Sequence, residues 1–297
     1  MSDSAVMDLF PESLPQMIVG GVPAGGGANK HLSPFRYAGG KSWFVPEVRS
    51  WLAGMGRVST FVEPFAGGAV VGLTVAVEGL ADRVVLCEKD PDVGAVWSVV
   101  FSAGDDAFEA LCERIAGFVL TRESAIASLA CKPDTVQERA FQTILRNRVN
   151  RGGILAAGAS LLKAGENNKG IASRWYPQTL VRRLAALRQV RDVVEFVQGD
   201  AFDQVARFRD DATAAFFIDP PYTAGGKNAG SRLYNHSVID HRRLFRECAA
   251  AAFPFLMTYD DSEDVVRLAE RNGLALRRVP MRSTHHVTKE ELVISRA

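Results

Sequence analysis

Along most of the chain, short apolar runs bounded by turn residues alternate with stretches of helical spacing. Residues 60–64 and 84–87 read as short buried strands, with a tight turn at 65–68 and a helix over 69–78 between them. A strand, turn, helix and strand in that order open a parallel α/β unit. From about residue 91 to 190 the pattern changes. Helical spacing runs over 105–120, 136–146 and 178–188, with a Gly/Ala/Asn-rich loop at 151–169 and few strand signals. Strands resume at 193–197, 214–218 and 255–259, a helix ends near Asn272, and the last strands are expected at 275–279 and 291–295. Helical spacing also marks 43–53, whereas the glycines and prolines of 1–31 suit neither helix nor strand. The predicted organisation is therefore a loose lead (1–31), one α/β domain in two pieces (32–95 and 190–297) and a mostly helical insertion (96–189).

Composition narrows this picture. With 297 residues, 47% hydrophobic and 23% charged, the chain can bury a sizeable core, which excludes a disordered or collagen-like polymer. Its longest apolar runs, near 69–77 and 249–257, fall short of the roughly 18 residues of a membrane helix. Acids at Asp3, Asp8 and Glu12, with no basic opening, argue against a signal peptide, and a cytoplasmic protein of a bacterium or phage is expected. Cys87, Cys112, Cys131 and Cys248 form no CxxC pair, so neither a zinc site nor a disulfide framework is expected.

Charge is unevenly spread. Residues 131–191 hold 12 basic and 3 acidic side chains, while 1–130 hold 9 and 15, and 192–297 hold 14 and 16. A basic middle between acidic flanks is a candidate polyanion-binding segment. Its candidate contacts are Arg146, Arg148, Arg151, Lys163, Lys169 and Arg174.

Three motifs carry chemistry. Phe65-Ala66-Gly67-Gly68 joins a strand to a helix, and its glycines let a ligand approach the backbone. Glu88 closes the next strand, where an acid can accept from both ribose hydroxyls of a nucleoside. The turn is not GxGxxG, which favours a smaller nucleoside ligand over a dinucleotide. Asp219-Pro220-Pro221-Tyr222 follows the apolar strand 214–218. The prolines remove two N–H donors and leave nearby carbonyls to accept. With the Asp219 carboxylate and the flat Tyr222 ring, these groups suit an exocyclic amine on a planar ring. Tyr37-Ala38-Gly39-Gly40-Lys41 places an aromatic and a lysine at the domain entrance without phosphate-loop spacing.

Together these elements resemble the Dam-like family of adenine-specific DNA methyltransferases. The likeness runs in order from Tyr37–Lys41 through Phe65–Gly68, Glu88, Gly199-Asp200 and Asp219–Tyr222, with smaller matches at Ser173–Pro177 and Glu291–Ile294. It implies a Rossmann-like methyltransferase sheet with helices on both faces, interrupted by a helical target-recognition insertion. It also implies S-adenosylmethionine as methyl donor, the N6 amine of adenine in double-stranded DNA as acceptor, and no metal. By position, Tyr37, Lys41, Glu88 and Asp219 resemble donor-contacting residues, and Phe65 and Gly67 line that pocket. Asp200 is similar to the acid that meets the donor's adenine amine.

Ala69 stands where many relatives have glycine, and Asn147–Gly153 matches the family's recognition hairpin only in part. Asp219, Pro220 and Tyr222 are the candidate catalytic groups, with residues 223–233 read as a loop that closes over a flipped base. No histidine base is required, and His236, His241, His285 and His286 are expected at the surface or facing DNA. Cytosine N4, an RNA amine, or a DNA-binding protein without turnover are the alternatives. No nuclease motif is visible, so any cognate restriction nuclease would be a separate chain.

Overall fold

The computed structural model describes residues 32–36, 40–156, 158–222, 238–282 and 288–296. Seven strands form one mixed sheet in the order β3-β2-β1-β4-β5-β7-β6. They are β1 (Thr60–Glu63), β2 (Arg83–Glu88), β3 (Val194–Gln198), β4 (Ala214–Ile218), β5 (Phe255–Asp260), β6 (Leu274–Arg282) and β7 (Thr288–Arg296). The first five run parallel, and β7 enters antiparallel between β5 and β6. Strands buried on both faces need apolar side chains in succession, and β1 and β4 are buried at every position. Their residues alternate between two cores: Phe61 and Phe217 face one, Val62, Phe216 and Ile218 the other.

Helices cover both faces, as expected. On one lie α1 (Val45–Met55) and α2 (Val70–Glu78), followed by the run between β2 and β3. That run holds α3 (Pro91–Trp97), α4 (Asp105–Ala116), α5 (Arg122–Ala130), α6 (Val136–Val149) and α7 (Pro177–Arg188). Leu111, Phe141 and Leu184 of this helical run join Phe44, Leu73 and Phe217 in one continuous hydrophobic cluster. The insertion therefore shares its core with one face of the sheet. The other face carries α8 (Ala201–Arg207), α9 (His241–Ala250) and α10 (Glu263–Arg271), packed through Val205, Leu244, Phe245 and Val265.

Helices α3, α5, α8 and α9 were not expected from periodicity, because each is short or buries few apolar residues. At α5 only Ala125 and Ser128 are buried, and the helix is held instead by a capping box between Thr121 and Ser124. At α3 the signal lay in the cap. The Asp90 carboxylate accepts from the Asp92 N–H, and Pro91 fills the first helical position. Asp200 and Asp240 cap α8 and α9 in the same way.

After α3 the chain makes a π-helical turn, Ser98–Ser102, whose carbonyls are not all served by the helix. Arg188, at the end of α7, supplies the missing donors. Its guanidinium is 8% exposed and donates to the Val99, Val100 and Ala103 carbonyls at 3.1, 2.8 and 2.7 Å, and to Asp105 at 2.8 Å. Replacing Arg188 with Ala leaves the buried Val99 and Val100 carbonyls unsatisfied, at ~1–3 kcal/mol each. Urea unfolding of Arg188→Ala should show a loss of about 3 kcal/mol or more. A midpoint indistinguishable from the wild type's would contradict this role.

Candidate active site

Strand order reverses between β1 and β4, which leaves a crevice outside their carboxyl ends. Five parallel strands deliver their last residues to this edge: Glu63, Glu88, Gln198, Ile218 and Asp260. Because β7 is antiparallel, it contributes an early residue instead, and Glu291 pairs in register with Asp260.

The turn after β1 is fastened at three points. The Ala66 N–H donates to the Cys87 carbonyl at 2.8 Å, the Gly67 N–H to Glu88 Oε2 at 2.7 Å, and Trp97 Nε1 to the Gly67 carbonyl at 2.9 Å. Gly67 is left-handed (φ +48°), and so is Ala69 (φ +52°), the cap of α2. A left-handed non-glycine residue costs ~1–2 kcal/mol. The Ala69 methyl is 1% exposed, so its burial offsets part of that cost. The departure from glycine at Ala69 thus leaves the turn in place. Phe65 is partly buried and packs on the second core.

Glu88 accepts from Gly67 N–H with one oxygen and from Asp90 N–H with the other, at 2.7 Å each. Burial pushes its carboxyl up to about 7, against the pull of those N–H donors. Each oxygen keeps a second lone pair for a ligand hydroxyl. Asp200 lies across from it at the end of β3, with Oδ1 on the Phe202 N–H and Oδ2 2.7 Å from Lys89 Nζ. Burial alone would raise Asp200, but the Lys89 bond and the Phe202 N–H hold it below its ordinary value.

On the β4 side the centre is Asp219. Its Oδ1 accepts from the Tyr222 hydroxyl and the Thr258 hydroxyl, both at 2.8 Å, and lies 3.1 Å from Lys41 Nζ. Oδ2 is left with no hydrogen-bond partner among the described residues. Lys41, 4% exposed, also reaches Glu291 Oε2 at 3.5 Å, and its ammonium stands 5.0 Å from the Tyr222 ring centre. Pro220 is buried, and Tyr222 is partly buried and stacks on Tyr259 at 5.7 Å and 24°. Tyr222 is thus anchored by ring and hydroxyl, where the sequence led us to expect a ring with an open face.

Three further groups belong here. Glu63 is 3% exposed and accepts from the Gly72 N–H at 2.7 Å. Burial drives its carboxyl well above the usual range, with Asp219 and Glu88 adding repulsion. Thr258 is fully buried in β5. His241 is half-buried: its Nδ1 lies 2.8 Å from the Tyr259 hydroxyl, and burial lowers its basicity. The sequence signal for Glu63 and Thr258 was a polar residue inside an otherwise apolar strand. His236, His285, His286, Tyr37 and residues 223–233 lie outside the described residues.

The basic candidates separate into two groups. Arg151, Lys163 and Lys169 are exposed and make no ion pair among the described residues. Arg146 instead bridges to Asp92 at 2.8 Å, and Arg174 to Glu166 at 3.0 Å. Arg148 is a correction to the surface role expected of it. It is 5% exposed, donates to the Pro34 carbonyl, and is pushed down to about 10 by burial and by neighbouring arginines. Its helical position turns it into the core between α6 and the 32–36 segment.

No family model matches the chain, and no curated protein matches it. Among solved structures, it is similar to a proposed RNA methyltransferase of Pyrococcus horikoshii at 9% identity, covering 86% of this chain and 80% of that one, TM-score 0.37. It is similar to a proposed methyltransferase of Escherichia coli at 13% identity, covering 86% and 87%, TM-score 0.34. A third is magnesium protoporphyrin IX methyltransferase of Synechocystis with bound S-adenosylmethionine, at 10% identity, covering 86% and 79%, TM-score 0.34. Among the described residues no group of three or more His, Cys, Asp or Glu could hold a metal, and no helix is long and apolar enough to cross a membrane.

Glu88 makes stability depend on pH. A carboxyl raised in the folded state contributes stability that is complete below about 4.5 and lost as pH rises through about 7. Glu88→Gln, which cannot ionise, should gain on the wild type between those values and level off above them. Urea midpoints at pH 4.5 and pH 8 test this. A difference between the two proteins that is equal at both pH values would contradict it.

Proposed function

We propose that this chain transfers a methyl group from S-adenosylmethionine to the N6 amine of adenine in duplex DNA. The observation that carries it is the lopsided Asp219 carboxylate. Lys41, Tyr222 and Thr258 all hold Oδ1, so the carboxylate is fixed in direction while Oδ2 can accept an amine hydrogen.

The pocket's charge balance fits the donor. Asp219 and Glu88 share one edge of the sheet with the buried Lys41, and a ligand bearing sulfonium and ammonium cations would favour the ionised form of both carboxyls. Bound there, the donor supplies an electrophilic methyl on sulfur. Glu88 would hold its ribose hydroxyls and Asp200 its adenine amine, with Lys41 among the donor-contacting residues, as the family likeness implies. Asp200 would do so through its remaining lone pairs.

A duplex hides the adenine amine, so the base must leave the stack, at a few kcal/mol. The amine is a weak nucleophile because its lone pair is delocalised into the ring. Asp219 and the Pro220 carbonyl each accept one of its hydrogens, which frees the lone pair for the methyl carbon. Nitrogen–carbon bond formation accompanies carbon–sulfur cleavage, the electron pair leaves with sulfur, and one amine proton is then lost to water. Two fixed acceptors where positive charge grows are electrostatic preorganisation. Asp rather than Ser or Asn ahead of Pro-Pro-Tyr favours adenine over cytosine by resemblance.

The test is single-turnover methylation of duplex DNA. Asp219→Ala should slow it by about 100-fold or more, the scale for losing one preorganised group. Duplex affinity should survive. Rates near the wild type's would sink the mechanism.

The exposed Arg151, Lys163 and Lys169 support contact with the duplex backbone. Each alanine substitution should weaken binding to all sequences alike and flatten the salt dependence by about one unit of slope. Unchanged affinity and slope in all three would make this a solvated face.

A further inference from the structure

Glu291 is a buried carboxylate on the last strand, 4% exposed, and the function above does not use it. It reaches the site because β7 is antiparallel: register with Asp260 brings Glu291 to the edge where the parallel strands end. Its Oε2 lies 3.5 Å from Lys41 Nζ and makes no hydrogen bond among the described residues. Lys41 in turn is 3.1 Å from Asp219 Oδ1. A carboxylate kept only for stability is poorly placed here. Burying an ion with incomplete hydrogen bonding seldom stabilises more than an apolar residue of like size.

We infer that Glu291 is a positioning residue for methyl transfer, sharing the Lys41 ammonium so that Asp219 keeps its strength as an acceptor for the target amine. This rests on the reading of Asp219 given above. An ammonium aimed wholly at Asp219 would neutralise the group that must meet growing positive charge. Divided between two carboxylates, it fixes Asp219 in direction and leaves the three groups with one net negative charge. Among the described residues, the other ionisable groups near this cluster are Glu63 from β1, Tyr222 after β4, and Tyr259 and Asp260 from β5. None is a second cation that could take Lys41's place.

The role depends on charge rather than shape, and two variants separate these. Glu291→Gln keeps the shape and removes the charge; Glu291→Asp keeps the charge and shortens the arm. Single-turnover methylation of duplex DNA, donor affinity by calorimetry, and thermal midpoints are measured for both and for the wild type. Expected are a roughly tenfold slower transfer in Glu291→Gln with donor affinity within about twofold, and a Glu291→Asp rate nearer the wild type's. Glu291→Gln as fast as the wild type overturns the proposal. So does a Glu291→Gln chain that does not fold, or two variants equally slow with lowered midpoints, since either outcome assigns packing. A wild type that binds the donor yet methylates no adenine overturns the functional reading, and this proposal with it.

Discussion

An ammonium held out of water needs carboxylates around it, and the arrangement of this molecule's site follows from where they come from. Lys41 belongs to the short turn Lys41–Trp43 ahead of α1, Asp219 follows the central strand β4, and Glu291 belongs to the antiparallel strand β7. The three meet only because the sheet is complete. A parallel sheet alone would bring its acids from strand ends. The reversed last strand adds one from a strand beginning, so on the proposed reading the C-terminal hairpin takes part in the chemistry as well as closing the sheet.

The carboxyl edge of the sheet is acidic and the helical run is basic, and the two have different origins. At the edge, carboxylates end parallel strands against apolar cores, and burial raises Glu63 and Glu88. The helical run between β2 and β3 carries the basic excess, with Arg151, Lys163 and Lys169 exposed. The two are not separate bodies. Trp97, at the end of α3, donates to the Gly67 carbonyl, so the first helix of that run braces the turn that would face the donor. Arg188 then ties the end of α7 to the turn following α3.

The strands were legible because parallel strands buried on both faces are short apolar runs, and 214–218 matches β4 end to end. The long helices α4, α6 and α7 showed their periodicity. Short capped helices did not, since their stability lies in Asp90, Thr121, Asp200 and Asp240 rather than in an apolar stripe. At the site, Glu88, Asp200 and Asp219 stand at strand ends, as their motifs implied. What the sequence could not show was pairing between distant segments. Thr258 and Glu291 join Asp219 and Lys41 only through sheet register. Arg148 looked like its basic neighbours, and only the phase of α6 against the 32–36 segment sends it inward.

The central claim is that the amine beside Asp219 is that of adenine in DNA. It is tested most directly by incubating duplex DNA with methyl-labelled S-adenosylmethionine and the full chain, digesting the DNA and resolving the nucleosides. The account predicts label in N6-methyldeoxyadenosine. Label confined to N4-methyldeoxycytidine, or transferred to RNA but not to DNA, would contradict it, as would donor binding with no transfer to any nucleoside.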